Sequence, residues 1–144
     1  MIELIITLLV IGGAILASAS IFRNQLQGNL ESDSQIIANR LSDAQARALA
    51  VLENSAWGIH FDYVSTTPFY AVFPGTTYSV ASDTFYLSGL VEFQTPASGA
   101  SSNIVFAKRT GMLTATATVV IGLKNSTSNT KTITVSPQGF ITIQ

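Results

Sequence analysis

The sequence predicts an α+β chain in which a long N-terminal α-helix, apolar in its first half and amphipathic in its second, packs on a C-terminal antiparallel β-sheet domain. Three observations predict it. Residues 4–22 form an apolar run of 19 positions, relieved only by Thr7, Gly12, Gly13, Ser18 and Ser20, and Glu3 is the only ionisable side chain before Arg23. Residues 26–52 repeat apolar side chains at helical spacing, and beyond Asn54 the period becomes two.

The first segment, residues 1–25, has the length and apolarity of a membrane helix, since about 20 such residues at roughly 1.5 Å each span a hydrocarbon core. Ordinary signal anchors place basic residues ahead of the apolar run, and this chain places none there. Its leading charge is the acid Glu3. A carboxylate at bilayer depth costs on the order of 2.5 kcal/mol at the centre and less near an interface, so Glu3 needs a specific partner. Gly12, Gly13, Ser18 and Ser20 are the places where this helix can loosen.

The second segment, residues 26–54, continues the helix, because no strong breaker precedes Trp57-Gly58. Leu26, Leu30, Ile37, Leu41, Ala44, Ala48 and Leu52 follow one another at steps of four, seven, four, three, four and four, which is one helical face. Gln25, Asp33, Arg40, Asp43 and Arg47 take the other positions, with Asp43 and Arg47 at i,i+4. Gly28, flanked by Asn24 and Asn29, is the one weak point.

The third segment, residues 55–144, reads as strands at 58–63, 69–73, 84–87, 90–94, 103–107, 113–123, 131–135 and 140–144, separated by Ser/Thr/Asn/Gly/Pro turn material. Alternation is clearest at 114–119 and 132–135, where threonine lines one face and apolar residues the other, as in strands packed on one side. The apolar face of the 26–52 helix is the available cover. The polar stretches 65–67, 76–79, 98–103 and 125–130 read as exposed loops, and Asn125-Ser126-Thr127 matches the N-glycosylation acceptor pattern.

Composition excludes several functions. Net charge −1 and pI 5.6 leave no basic face, so nothing argues for nucleic acid as a ligand. Only 10% of residues are charged, well below the usual quarter or so, so the surface is Ser/Thr/Asn-rich or covered by neighbours. His60 is the single histidine and there is no cysteine, which leaves no metal-ligand set. Glu53, Asp62, Asp83 and Glu92 are scattered without acid/base or calcium-loop spacing, and no G-x-S-x-G elbow occurs, so the reading is not an enzyme and needs no cofactor. The aromatics from Trp57 to Tyr86 read as core packing in preference to a sugar-stacking site.

With Glu3 heading the apolar helix and Gly12 nine residues after it, the chain resembles the type IV pilin and pseudopilin family, with its class III type of N-terminal signal. The resemblance sets Met1 at the third mature position, behind two further residues and a basic leader, and it departs from the family at Ser20, where a proline is usual. Trp57-Gly-Ile-His-Phe, Phe69-Tyr-Ala-Val-Phe, the segment 103–111 and the closing 133–143 look like the sheet of H-type pseudopilins. The resemblance implies a pilin fold and a structural subunit of a type IV pilus or pilus-like extracellular filament. The alternatives are a minor pseudopilin of a type II secretion or DNA-uptake system and, in another class, a membrane-anchored binding module that does not polymerise. It further implies self-assembly through the hydrophobic helix, with Glu3, Gly12 and Gly13 as assembly residues and Glu3 meeting a neighbour's N-terminal amine. An inner-membrane platform protein, an assembly ATPase and a prepilin peptidase are the implied partners. The implied locations are the inner membrane before assembly and the cell-surface filament after it.

Overall fold

The computed structural model of the protein describes the backbone of residues 2–124, 126 and 128–144 and the side chains from residue 25 onward. One α-helix, α1 (Ile2–Leu49), runs 48 residues, about 72 Å at the helical rise, and passes through Gly28 without interruption. Eight strands follow: β1 (Trp57–Asp62), β2 (Phe69–Pro74), β3 (Asp83–Tyr86), β4 (Val91–Thr95), β5 (Ser101–Phe106), β6 (Ala117–Leu123), β7 (Thr130–Val135) and β8 (Ile141–Ile143).

All strand pairs are antiparallel, and they form two four-stranded sheets ordered β3-β2-β1-β5 and β4-β6-β7-β8. Period-two alternation sends Trp57, Ile59 and Phe61 of β1, Val119, Ile121 and Leu123 of β6, and Ile133 and Val135 of β7 into one core. From α1 that core takes Leu30, Ile37, Leu41, Ala44 and Ala48, with Leu26 packed at its edge. The predicted cover of the β domain by the second half of the helix is therefore what the chain builds.

One stripe position escaped the hydrophobic pattern. Leu30, Ser34, Ile37, Leu41, Ala44 and Ala48 are buried at steps of four, three, four, three and four, so Ser34 fills the seven-residue gap between Leu30 and Ile37. Its buried hydroxyl is satisfied locally, donating to the carbonyl of Glu31 at 2.7 Å.

Three predicted boundaries move. The helix ends at Leu49 instead of 54, and Leu52, read as a stripe residue, is half exposed in a 3-10 turn (Leu52–Asn54). Val51, Glu53 and Asn54 all take positive φ, so the helical phase is lost at once. The strand predicted over 113–123 begins only at Ala117, because Thr114 and Ala115 form a bend in which the threonine alternation has no partner strand. Ser101, Ser102 and Asn103, read as part of an exposed loop, belong to β5 and pair with Asp62, Phe61 and His60. Among the described residues no helix is long and apolar enough to cross a membrane. The side chains of the predicted run 4–22 lie outside the residues described.

Candidate functional site

The feature with most consequence for function is the seam that fixes the helix to the β domain. Its centre is Gln45, whose Nε2 donates to the carbonyls of Gly111 and Gly139, each at 3.1 Å. Those carbonyls come from two reverse turns, before β6 and before β8, that lie side by side on α1. Glycine is required at both positions. Gly139 has φ +87°, and an added Cβ would meet the Gly111 carbonyl at 2.6 Å and the Gln45 amide. At Gly111, with φ +61°, a Cβ would press on Leu49 at 3.0 Å. The Arg109 amide donates to the carbonyl of Ala48 at 3.0 Å, an acceptor it shares with the Val51 amide at 3.2 Å, and so ties the helix end to the turn before β6.

Charged residues of α1 reinforce the seam mostly by packing. Arg40 lies over the Phe85 ring at 4.1 Å, and Arg47 lies 4.9 Å from the Trp57 centroid. Arg47 also forms the predicted i,i+4 pair with Asp43 at 2.9 Å and reaches Asp83 at 3.6 Å. Asp33 accepts from both the amide and hydroxyl of Ser88, at 2.9 and 2.7 Å, and Lys131 pairs with Glu31 at 2.9 Å. The half-exposed pairs are worth about 0–1 kcal/mol each, so the apolar stripe and the Gln45 bridge carry the attachment.

Tyr70 lies in the same core, stacked on Phe85 with centroids 5.4 Å apart. Burial first, then the nearby Asp33 carboxylate, push its phenol up to about 12, with Arg40 pulling the other way. The Tyr63 hydroxyl donates to Glu92 at 3.0 Å, and its pKa is raised by burial and then by that carboxylate.

His60 sits on the opposite face of β1 from the core, yet it is buried. Its Nδ1 is 2.6 Å from Asn103 Oδ1, its Nε2 is 3.7 Å from the Asp62 carboxylate, and its ring stacks on Tyr78 at 3.9 Å and 4°. Tyr78 also meets Phe73 edge-on at 5.4 Å, so within the stretch 76–79, read as an exposed polar loop, Thr76, Thr77 and Ser79 are exposed while Tyr78 covers the outer face of the first sheet. The histidine is a packed residue with both ring nitrogens near polar partners. Among the described residues no group of three His, Cys, Asp or Glu is placed to hold a metal ion.

Other predicted site residues are not reached. The side chain of Glu3, the positions Gly12 and Gly13 as packing sites, and Asn125 lie outside the described residues. The turns that hold Gln45 also present Met112 and Phe140, exposed by 44% and 72%, beside the half-exposed Leu49. The end of α1 thus has an apolar rim that sequence periodicity did not pick out.

No family model matches the chain, and no curated protein sequence does. Solved structures do. The type IV minor pilin FimU of Pseudomonas aeruginosa strain PAO1 superposes in two crystal forms. In one the TM-score is 0.58 at 15% identity, over 80% of this chain and 92% of that one; in the other it is 0.60 at 14%, over 85% and 90%. The minor pseudopilin EpsH from the type 2 secretion system of Vibrio cholerae superposes with a TM-score of 0.56 at 14% identity, over 81% of this chain and 96% of that one. With a continuous α1 whose second half is sunk in a two-sheet antiparallel head, this chain has the type IV pilin and pseudopilin fold.

Proposed function

We propose that the chain is a structural subunit of a type IV pilus or pilus-like filament, polymerising through the first half of α1. The observation that carries this reading is the division of one helix between two environments. From Leu26 onward α1 is committed to the core of its own head, whereas residues 4–22 continue the same helix as a 19-residue apolar run. In this reading a bilayer covers the run before assembly and the same run of neighbouring copies covers it afterwards. Each 1,000 Å² of apolar surface so buried contributes on the order of 25 kcal/mol gross, before the entropy cost of association is subtracted. A contact that repeats head to tail without closing builds a helical fibre.

Glu3 is then the assembly charge. Inside a bundle of apolar helices its carboxylate is stable only when paired, and a neighbour's N-terminal amine is the cation such a bundle supplies. A platform protein, an ATPase and a prepilin peptidase act on the subunit in this reading, and the apolar rim of Leu49, Met112 and Phe140 is surface available to adjacent heads. The similarity to a minor pilin and a minor pseudopilin supports a second reading, a minor subunit of a pilus or of a type II secretion pseudopilus. Sheared surface fractions examined by immunogold microscopy test both. The chain along the length of thin fibres supports a main subunit, sparse labelling supports a minor one, and its absence from every fibre rejects the proposal. Glu3→Ala is expected to leave membrane insertion and the folded head intact while cutting fibre yield at least tenfold; fibres at normal yield reject the pairing role.

A further inference from the structure

We propose that the open edge of β5 is a strand-acceptor site, which takes an extended, uncharged segment of another protein as a fifth strand on the first sheet. β5 ends the order β3-β2-β1-β5, so only one of its sides is paired. The ladder phase shows which groups face outward. The Tyr63 amide donates to the Ala100 carbonyl, so the pairs Phe61 with Ser102 and Ile59 with Ile104 exchange the hydrogen bonds with β1. Ser101, Asn103, Val105 and Ala107 therefore direct their amides and carbonyls away from β1. The Ala107 amide is taken by the Met112 carbonyl at 2.9 Å, which confirms the phase. Beyond that bond the 112–116 segment bends away, and among the described residues the Asn103 and Val105 amides have no backbone partner.

The space so opened is a groove of about 530 Å³ between β5 and the 112–117 segment. The bond between Ala107 and Met112 closes it at one end, and along β5 it runs as far as Asn103. No charged residue lines it, and Ala107, Ala115 and Ala117 give it a small-residue wall. Unpaired amides and carbonyls beside an uncharged, small-residue trough fit one kind of occupant, an extended backbone with small or β-branched side chains.

The other edges of this chain are protected from such pairing, and β5 is not. β3 carries Asp83, β4 carries Glu92 and a register shift between Phe93 and Thr95, and β8 is three residues long. β5 is six residues long with no charge and no proline. For the same reasons β3, β4 and β8 of a second copy make poor donors, and the occupant assigned here is a strand of another protein. A second copy's β5 is the rival donor, and protection of Asn103 and Val105 that rises with protein concentration without any probe overturns the assignment. The Asn103 side chain is already engaged by His60 on the sheet's outer face, which leaves its backbone free to read the incoming strand.

The proposal does not depend on the filament reading, because its test uses the full chain as a detergent-solubilised monomer. The probe is the blocked peptide acetyl-Lys-Thr-Val-Thr-Ala-Thr-Val-Thr-Lys-amide. The control is the same peptide N-methylated at alternate residues, which removes one row of donors. Backbone pairing slows hydrogen exchange at Asn103 and Val105 at least tenfold with the probe and leaves it unchanged with the control. Ala115→Trp, at an exposed position that fills the groove without removing a backbone donor, abolishes the protection while circular dichroism stays unchanged; Thr116→Arg does the same. Absence of slowing at millimolar probe, equal slowing by both peptides, protection confined to other edges, or full protection retained in both folded variants overturns the proposal.

Discussion

Gln45 shows how much one side chain holds. It bridges two carbonyls from turns far apart in sequence, so Gln45→Ala is expected to lower stability by about 1–3 kcal/mol, the cost of leaving buried acceptors without a donor. Urea denaturation of the solubilised chain measures it. Gly139→Ala is expected to cost about as much or more, because strain at positive φ adds to a collision with the Gly111 carbonyl. Tyr70 gives a pH signature. Its ordinary value is 10.0 and burial holds it at about 12, so the fold retains the proton more tightly than the unfolded chain does. Its contribution is therefore fully present below pH 10 and is lost as pH rises through about 12. Denaturation midpoints measured from pH 9 to 12 are expected to fall above pH 10, with a shallower fall in Tyr70→Phe.

For the helix, the consequence lies in its stripe. Leu41 is fully buried at the centre of a row shared with Leu30, Ser34, Ile37, Ala44 and Ala48. Leu41→Ala is expected to cost about 2–5 kcal/mol, whereas Ser34→Ala leaves stability nearly unchanged, because its hydroxyl is satisfied within its own turn. Ser34 was missed in the sequence because a hydrophobic pattern counts a buried serine as polar. The early end of α1 was missed for a related reason. No glycine or proline marks it, and Val51 enters the left-handed region against its β-branched preference. The Arg109 amide on Ala48 and the Trp57 indole donating to Leu52 at 3.0 Å set that turn from outside the helix.

The whole molecule divides where its environments divide. The helix residues of the core run from Leu26 to Ala48, so a fragment of residues 25–144 keeps that whole stripe and is expected to be a soluble monomer with β-type circular dichroism, checked by size-exclusion light scattering. Aggregation of that fragment would argue against the two-part design. A short tag at 98–99, in an exposed turn, is expected to leave fibres intact, whereas a tag at Asn103 breaks β5 and one at 41–52 detaches the stem from the head. Antibody access to the 98–99 tag on fibres shows whether this turn faces outward.

The sequence alone determined the architecture, because it is written in local periodicities. A 19-residue apolar run, a helical stripe from Leu26 to Ala48, and a change to period two after Asn54 leave few ways to bury the apolar surface. All eight strands were legible for the same reason, and Asp43 with Arg47 was legible as an i,i+4 pair. Other features depend on partners distant in sequence and took shape only in the fold. They are the split of the strands into two sheets, the Gln45 bridge, the cover of His60 by Tyr78, the place of Ser101 to Asn103 in β5, and the open slot beside that strand. Local pattern reports which face of an element is apolar, since each residue's burial repeats with its own element's period. It does not report which carbonyl a glutamine will reach across the fold, nor which strand edge is left without a neighbour, because both are set by where the chain returns.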